Sequence, residues 1–360
     1  MKKTLIALAV MAVSGASMAQ VTITGNYTIG YKQSTTSPFT AATGSTVAQQ
    51  VTQGLAGGNG GNPRGESSGL GVDTSLVTFT AKEDLGGGMN VVAEMSLDGF
   101  TRGTATGGDS SLKLTTSVGR ITLQAYKPAD YLSGSFGVGG AGMDNKVFPA
   151  RSLKDAIGFD TKLGPVIVSI SHQEQGSANG VAPTAGLGLG QGAAGAQGQV
   201  GQRLTSVSGT YMTGALVANL NFLSYDNRTA DANTSYRDVL RAGAKYNFGS
   251  FQVGGGYSTL TTMSGGTLNS AAISAAVPIG ALTLGANYAT ETADGFARQP
   301  LSATNIIPKG GLDQTRNGYG LSAKYDLSKR TSLIATYANW LPYAGVERNS
   351  ETNLLLSHSF

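Results

Sequence analysis

The chain has 360 residues, of which 53 are glycine and none is cysteine, and its formal net charge is +4. Charged residues make up 13% of the chain, about half the share that is usual in globular proteins, which argues against a charged helical or coiled-coil protein. The mean hydropathy of −0.04 argues against a helical membrane bundle, the lack of cysteine excludes a disulfide scaffold and thiolate chemistry, and the small net charge gives no reason to expect nucleic acid as a partner.

The first nineteen residues have the layout of a secretory signal peptide. Two lysines follow Met1, residues 4–16 are largely apolar, and Ser17 and Ala19 place small residues at the positions that signal peptidase reads. The apolar run is too short to span a bilayer comfortably. We therefore expect residues 1–19 to be removed and residues 20–360 to form one domain beyond the inner membrane of a bacterium.

The rest of the chain alternates between apolar and polar residues. The alternating segments are about as long as the 9–11 residues of a tilted strand that crosses a bilayer. The pattern is clear in residues 216–222, 236–248, 281–292 and 319–326. Because successive side chains of a strand point to opposite sides, each segment has one apolar face and one polar face.

Short connections with strong turn-forming residues alternate with long connections between these segments. The short ones lie at 85–88, 164–165, 214, 249–250, 278–280 and 327–329, and the long ones near 34–70, 102–109, 127–150, 176–201, 227–235, 293–316 and 344–349. Glycine, proline and asparagine are typical turn residues. A count of the segments gives about sixteen strands in an up-and-down meander.

These features favour a closed membrane barrel over a soluble β-sandwich, which also alternates. Every segment has the same apolar face, and lipid is a simpler partner for so many apolar faces than a second sheet. Because backbone groups cannot stay unpaired in hydrocarbon, the sheet has to close. The sequence therefore predicts an all-β fold, a sixteen-stranded antiparallel transmembrane β-barrel with short periplasmic turns and long extracellular loops.

Aromatic residues near the strand ends agree with a membrane boundary, where aromatic rings are preferred. Those predicted at one end are Tyr246, Phe248 and Tyr325, and those predicted at the opposite end are Tyr225, Tyr236, Trp340 and Tyr343. The final segment alternates up to Phe360, a terminal aromatic residue of the kind that serves as the sorting signal of outer-membrane barrels.

Several segments resemble the trimeric general porins of beta-proteobacteria, of the neisserial and burkholderial type. The most specific matches are the turns Glu83-Asp84-Leu85-Gly86-Gly87-Gly88 and Leu327-Ser328-Lys329-Arg330-Thr331, and residues 21–25, 98–100, 119–123 and 356–360 also match. The resemblance implies a homotrimer in the outer membrane, and a third long loop, about residues 127–150, that folds into the lumen as a constriction. Its expected partners are outer-membrane lipid and lipopolysaccharide, and small hydrophilic solutes and ions.

Three positions depart from the pattern of that family. Leu76, Thr80 and Ala125 stand where the family commonly has basic residues. Part of the usual basic wall is therefore missing, which weakens the anion preference that the resemblance implies.

Charges at the narrowest point of a pore set its selectivity. Arg237, Arg241 and Lys245 are spaced to share the inward face of one strand. Strand parity adds the basic candidates Lys113, Arg120, Lys154 and Lys324, and the acidic candidates are Glu94, Asp130, Asp144 and Glu291. A basic wall opposite an acidic loop would create a transverse field across the constriction.

The expected function is passive diffusion of ions and small hydrophilic solutes with a weak anion preference, without cofactor or energy input. A substrate-selective channel and a non-conducting barrel that acts as an adhesin or anchor are the alternatives. An enzyme is not expected, because a Ser-His-acid triad needs a positioned histidine. His358 falls on the predicted lipid face and His172 stands alone, and no cluster of metal-ligating residues appears in the sequence.

Overall fold

A computed structural model of the protein describes residues 20–36, 65–99, 106–149, 151, 154–175, 194–195, 199–200, 203–226, 236–295, 314–341 and 348–360. The predicted signal peptide, Tyr343 and most of the predicted long connections lie outside these described residues.

The described residues form eighteen β-strands and one turn of helix. The strands are β1 (Gln20–Thr36), β2 (Gly65–Gly86), β3 (Met89–Asp98), β4 (Thr106–Thr115), β5 (Arg120–Tyr126), β6 (Lys154–Leu163), β7 (Val166–Gln175), β8 (Ala194–Gly195), β9 (Gln199–Val200), β10 (Arg203–Thr213), β11 (Leu216–Asp226), β12 (Tyr236–Asn247), β13 (Gln252–Thr262), β14 (Thr267–Ile279), β15 (Leu282–Asp294), β16 (Gln314–Asp326), β17 (Thr331–Trp340) and β18 (Asn349–Ser359). The helical turn, Tyr131–Ser135, lies between β5 and β6.

Sixteen of the strands close into one antiparallel barrel, as the sequence predicts. Each strand pairs with its neighbours along the chain, and β1 pairs with β18 to complete the circle. The two-residue strands β8 and β9 pair only with each other, so that β7 pairs directly with β10 in the barrel. Closure leaves no free sheet edge, which is the condition for a sheet in hydrocarbon.

The two faces of the barrel wall differ as the alternation predicts. Leu220, Leu240 and Ile273 point outward and are 58%, 51% and 64% exposed. Their neighbours Asn221 and Arg241 point inward, opposite each other on β11 and β12. In a soluble sandwich the apolar faces would be buried against a second sheet, whereas here they form the outer surface of the barrel.

At one end of the barrel the strands are joined by short turns, six of them at the predicted positions; the turn between β4 and β5, residues 116–119, is not among the predicted ones. Seven hairpins, β2–β3, β4–β5, β6–β7, β10–β11, β12–β13, β14–β15 and β16–β17, have connections of two to four residues. Gly164 and Gly280 each have a φ of +60°, a conformation that glycine adopts without the strain of a side chain.

The opposite end contains one short connection that the sequence analysis does not predict. Residues 263–266 join β13 to β14 directly, where the alternation of lengths leads us to expect a long loop. The Thr262 amide donates to the Gly266 carbonyl at 2.8 Å, and Gly265 has a φ of +90°. Glycine therefore permits a tight turn here as well.

The buried apolar core lies inside the barrel. It joins part of the connection between β5 and β6 to the inner wall, and its fully or nearly fully buried members are Leu132, Ala141, Met143, Val147, Phe148, Ala289, Ala338 and Trp340. The connection between β5 and β6 is thus packed inside the lumen, against the inner wall of the barrel.

Candidate pore constriction

Residues 127–149, here called the inserted segment, cross the lumen. They begin after β5 and lead back toward β6, yet their contacts are with the strands across the barrel. The Tyr131 hydroxyl donates to Asn219 Oδ1 on β11 at 2.8 Å, and the Gly140 amide donates to Ser322 Oγ on β16 at 3.0 Å. Lys146 forms an ion pair with Glu351 on β18 at 3.3 Å. Because these contacts extend from β11 to β18, the segment narrows the channel along half of its inner wall.

Glycines on the inner wall let the inserted segment lie close to the strands. A Cβ atom on Gly243 would lie 2.4 Å from Cδ2 of Phe136, and one on Gly320 would lie 2.6 Å from the amide nitrogen of Ala141. Real Cβ atoms do not approach other atoms so closely. The lack of a side chain at Gly243 on β12 and at Gly320 on β16 therefore sets the distance between the inserted segment and the wall.

The far end of the inserted segment is held by apolar packing and one cation. Met143, Val147 and Phe148 are buried against Trp340 and its neighbours on the wall. The Lys146 ammonium lies 5.5 Å from the centroid of the Trp340 ring, a cation–π contact. The Trp340 side chain thus packs inside the lumen and does not lie at the membrane boundary.

Three of the aromatic residues predicted near the membrane boundary face the lumen instead. The three are Trp340, Tyr225 and Tyr236. Tyr225 packs on the buried cluster of Leu204, Leu223 and Val239. Its ring contacts the ring of Tyr236 edge to face, with 5.3 Å between the ring centroids. Position near a strand end is visible in a sequence, but the inward or outward direction depends on parity and on bulges. At the other end the prediction is correct: Tyr246, Phe248 and Tyr325 are exposed on the outer face.

The basic row predicted on β12 is divided by a β-bulge. Tyr236 pairs with Thr262 but Asp238 pairs with Thr261, so the register shifts at Arg237. The Arg237 side chain is exposed and contacts Asp238 Oδ2 at 2.7 Å. The prediction that Arg237 shares one inward face with Arg241 and Lys245 is therefore wrong, because an extra residue in the strand reverses the parity.

Arg241 and Lys245 point inward, but they lie under the inserted segment. The Arg241 guanidinium is 5.3 Å from the centroid of the Tyr131 ring, and Lys245 Nζ donates to the Ser135 carbonyl at 3.2 Å. The sequence predicts a basic wall opposite an acidic loop. In the structure these two cations instead lie between the wall and the inserted segment and contact it, because the segment crosses the lumen to β12.

The other basic candidates point inward on β4, β5, β6 and β16. Lys113 forms an ion pair with Glu94, and Arg120 forms one with Asp160 at 3.0 Å. Lys324 contacts Asp326 at 2.8 Å close to the turn after β16. Lys154 is opposite Tyr126 in the pairing of β5 and β6, and no described carboxylate pairs with it.

The remaining acidic candidates are all engaged by other groups. Asp130 Oδ1 accepts the Ser133 amide at 2.6 Å and so caps the helical turn. Asp144 pairs with Arg151 at 2.9 Å. Glu291 is ion-paired with Arg316, and the two side chains are only 1% and 5% exposed. These carboxylates stabilise the segment and the wall and present little free negative charge to the lumen.

Of the three positions that depart from the resembled family, two face the lumen. Leu76 pairs with Asn26 and Thr80 with Glu94, both on the inward side. Ala125 has the same parity as Leu123, which is exposed on the outer face. An alanine at position 125 therefore removes no charge from the lumen, contrary to our expectation.

Several residues of the constriction are not found by sequence reasoning. Tyr131, Asn219, Lys146, Glu351 and Trp340 join the inserted segment to the wall. Alternation could have placed Asn219 and Glu351 on inward faces. The direction in which the loop crosses the lumen is a tertiary feature, so their partners could not be predicted.

Burial raises the pKa of Tyr131 to about 12, although the Arg241 cation acts in the opposite direction. The hydroxyl is therefore neutral at physiological pH and available as the donor to Asn219.

Within the described ranges, no three His, Asp or Glu side chains are grouped as metal ligands. No helix in that part of the chain is long and apolar enough to cross a membrane.

Comparisons with known proteins agree with this architecture. The anion-selective porin from Comamonas acidovorans is 18% identical and superposes with a TM-score of 0.61, over 95% of this chain and 100% of that one. A trimer form of OmpT, an outer membrane protein of Vibrio cholerae, is 10% identical with a TM-score of 0.60, over 95% and 99%. A mutant of the porin of Rhodopseudomonas blastica is 10% identical with a TM-score of 0.55, over 95% and 100%. No curated protein sequence matches the chain significantly.

The family model described as "Gram-negative porin" matches residues 4–340. This match covers most of the chain, and the solved porins superpose on the closed barrel over nearly the whole of this chain. The chain belongs to the Gram-negative porin family and is an outer-membrane porin channel.

Proposed function

We propose that this porin conducts ions and small hydrophilic solutes by passive diffusion, with a weak preference for anions. One observation carries the preference. Four of the inward carboxylates, Glu94, Asp160, Glu291 and Glu351, are ion-paired. Five inward cations have no carboxylate partner among the described residues, namely Lys82, Lys154, Lys162, Arg241 and Lys245.

Unpaired charge of one sign raises the local concentration of counter-ions in a wet channel. The excess of unpaired cations therefore favours anions, but water in the lumen and salt screen it. The preference is expected to be modest and to decrease as the salt concentration rises. That the similar Comamonas acidovorans protein is described as anion-selective supports the sign of this proposal.

The proposed assembly is a homotrimer in outer-membrane lipid and lipopolysaccharide. The resemblance to trimeric general porins supports it, as does the trimer form of the Vibrio cholerae protein. Reconstitution of the protein in a planar bilayer tests both parts of the proposal. Ohmic current steps in groups of three are expected, with a reversal potential in a KCl gradient that is displaced toward that of chloride.

Each alternative function corresponds to a different result of the same experiment. Absence of current steps would favour a non-conducting adhesin or anchor. A reversal potential on the potassium side would contradict the anion preference. Conductance that saturates in simple KCl would favour a substrate-selective channel in place of passive diffusion.

A further inference from the structure

Arg348 forms a cationic site on the outer face of the barrel, at the end with the long connections. It lies one residue before β18. Its guanidinium lies 6.0 Å from the centroid of the Tyr319 ring, which is exposed on the outer face. Nη1 donates to Asn317 Oδ1 at 2.7 Å, and Nη2 donates to the Asn339 carbonyl at 3.1 Å. Because Asn317 belongs to β16 and Asn339 to β17, the guanidinium is held across two strands.

Only neutral groups of the described residues hold Arg348, and no carboxylate among them pairs with it. The acidic residue of β18, Glu351, faces the lumen, where Lys32 pairs with it at 2.7 Å. Arg237 is also an exposed arginine at the end with the long connections, but it contacts Asp238 Oδ2 at 2.7 Å. Arg348 therefore presents uncompensated positive charge at the membrane surface, where basic residues attract anionic lipid headgroups.

An apolar groove of about 600 Å³ lies on the same face, on the side of Tyr319 that is nearer the short turns. The Tyr337 ring lines the groove, and its centroid lies 6.2 Å from that of the Tyr319 ring. Arg348, its asparagine partners, the two rings and the groove thus form one continuous surface, here called the outer-face site. The outward-facing side chains that line the groove are Leu284 and Ala286 on β15, Leu321 and Ala323 on β16, and Ala335 and Tyr337 on β17.

We propose that the outer-face site binds a phosphorylated, acylated lipid of the outer leaflet, the lipid A part of lipopolysaccharide. The phosphate matches the uncompensated charge of Arg348, since hydrogen bonds from a guanidinium to a phosphate are strong. Arginine has five N–H donors. Asn317 and Asn339 engage four of them, so that one remains for a phosphate oxygen.

The groove accommodates an acyl chain of the same lipid. Its lining is apolar, and the alanines leave room between Leu284, Leu321 and Tyr337. Because hydrocarbon surrounds the barrel, apolar contact alone gives little preference for one lipid, and close packing and polar contacts have to supply it. The phosphate contact at Arg348 therefore provides the specificity. This inference rests on the proposed placement in outer-membrane lipid and lipopolysaccharide, and it assigns that lipid a particular contact.

Native mass spectrometry of the assembled porin in a nonionic detergent measures the bound lipid. Lipid A is titrated, and the same lipid without its phosphates is the comparison. Lipid A is expected to saturate its site at concentrations at least about tenfold lower than the dephosphorylated lipid. Inorganic phosphate is expected not to displace lipid A, because it cannot use the groove. Equal binding of the two lipids, or displacement by inorganic phosphate at the concentration of the lipid, would overturn the proposal.

The variants Arg348→Gln and Arg237→Gln form a matched pair, since each removes one arginine charge from the same end of the barrel. Arg348→Gln is expected to weaken lipid A binding at least about tenfold, the loss of one charge-assisted contact. Arg237→Gln, whose charge Asp238 already pairs, is expected to leave the binding unchanged. Arg348→Lys keeps the charge and is expected to bind lipid A more tightly than Arg348→Gln does. Equal effects of the two glutamine variants would overturn the proposal.

The variants Ala286→Leu and Ala244→Leu test the groove. Ala286 lines it, whereas Ala244 lines a smaller hollow of about 290 Å³ on the outer face of β12 to β14. Ala286→Leu fills the groove and is expected to weaken lipid A binding, and Ala244→Leu is expected not to. Unchanged lipid A binding in Ala286→Leu, with a lower temperature of trimer dissociation on a semi-native gel, would assign the groove to a second copy of the chain and overturn the proposal.

Current in KCl is recorded in a planar bilayer for the wild type and for every variant. The substitutions lie on the outer face, so the conductance is expected to stay that of the wild type, which shows that the barrel is folded. If Arg348→Gln does not assemble, the comparison of Ala286→Leu with Ala244→Leu decides. A conducting wild type without a preference for lipid A rejects the outer-face site and leaves the proposed channel function intact.

Discussion

Gly25 and the terminal Phe360 pair at the seam of the barrel, where the first strand, β1, meets the last strand, β18. The Gly25 amide donates to the Phe360 carbonyl at 3.0 Å, and the Phe360 amide donates to the Gly25 carbonyl at 3.1 Å. The Phe360 ring covers the outer face of Gly25, so closely that a Cβ atom there would lie 2.3 Å from Cζ of the ring. The terminal aromatic residue thus has a structural role at the seam in addition to its predicted role as a sorting signal.

Gly25→Ala is expected to weaken the seam between β1 and β18. The new methyl group displaces the Phe360 ring or strains the two hydrogen bonds, at a cost of about 1–3 kcal/mol, as for overpacking in a core. The measurement is the temperature at which the folded barrel becomes unfolded on a semi-native gel. Gly209→Ala is the matched control, because Gly209 also faces outward and a Cβ atom there would lie 4.0 Å from its nearest neighbour. Equal temperatures for both variants would contradict the role of the seam.

The buried pair of Glu291 and Arg316 is expected to contribute more to the free energy of unfolding than an exposed pair on β16. Glu291→Gln leaves the Arg316 charge buried without its carboxylate, which costs about 3–5 kcal/mol when a partner of a buried pair is removed. Lys324→Met breaks a pair whose side chains are 51% and 45% exposed, and should cost less than about 1 kcal/mol. Unfolding in guanidinium chloride gives both values.

The pair of variants at Glu291 and Arg316 also has an internal control. The double variant Glu291→Leu with Arg316→Leu is expected to be more stable than either single leucine variant, because neither charge of the pair remains buried. Strict additivity of the two single effects would show that the ion pair does not couple them.

Gly243→Val is expected to lower the single-channel conductance. The added side chain would occupy the place of the Phe136 ring, since a Cβ atom at Gly243 already lies 2.4 Å from it. The inserted segment must then move away from the wall and toward the centre of the lumen. Gly71→Val on β2 is the control, because nothing lies within 4 Å of a Cβ atom at that position. A conductance equal to that of the control would mean that the segment does not set the channel width.

The sequence predicts the barrel well because each strand has the same simple pattern. Alternation places Leu240 outward and Arg241 inward without any knowledge of neighbouring strands. Six of the seven short turns carry glycines that are visible in the sequence, and the seventh, residues 327–330, has a serine as its turn residue. At Tyr236 the same reasoning fails, because a bulge at Arg237 shifts the register and leaves no distinct mark in the sequence.

The constriction is harder to predict, because it depends on contacts between distant residues. The inward direction of Lys245 follows from parity, but its contact with the Ser135 carbonyl depends on the course of the inserted segment. The same holds for Lys146, which lies in that segment and pairs with Glu351 on the last strand. A loop without alternation gives no signal of the wall on which it packs.

Titration of Tyr131 tests how the inserted segment is held at its start. Burial raises its pKa to about 12 from an ordinary value of 10.0. A raised pKa in the folded state means that docking of the segment is fully favoured below the ordinary value and is lost as the pH rises through about 12. Over that range the phenolate loses its donation to Asn219, so the segment is expected to become mobile.

The difference in phenolate absorbance between the wild type and Tyr131→Phe isolates this single hydroxyl among 14 tyrosines. Its midpoint is expected near 12, and Tyr131→Phe, which loses the hydroxyl bond to Asn219, should destabilise the docked segment by about 1 kcal/mol. Increased proteolysis within residues 127–149 would report that change in the variant at neutral pH. A midpoint near 10 would instead mean that Tyr131 is solvated and that the segment is not packed against Asn219 in solution.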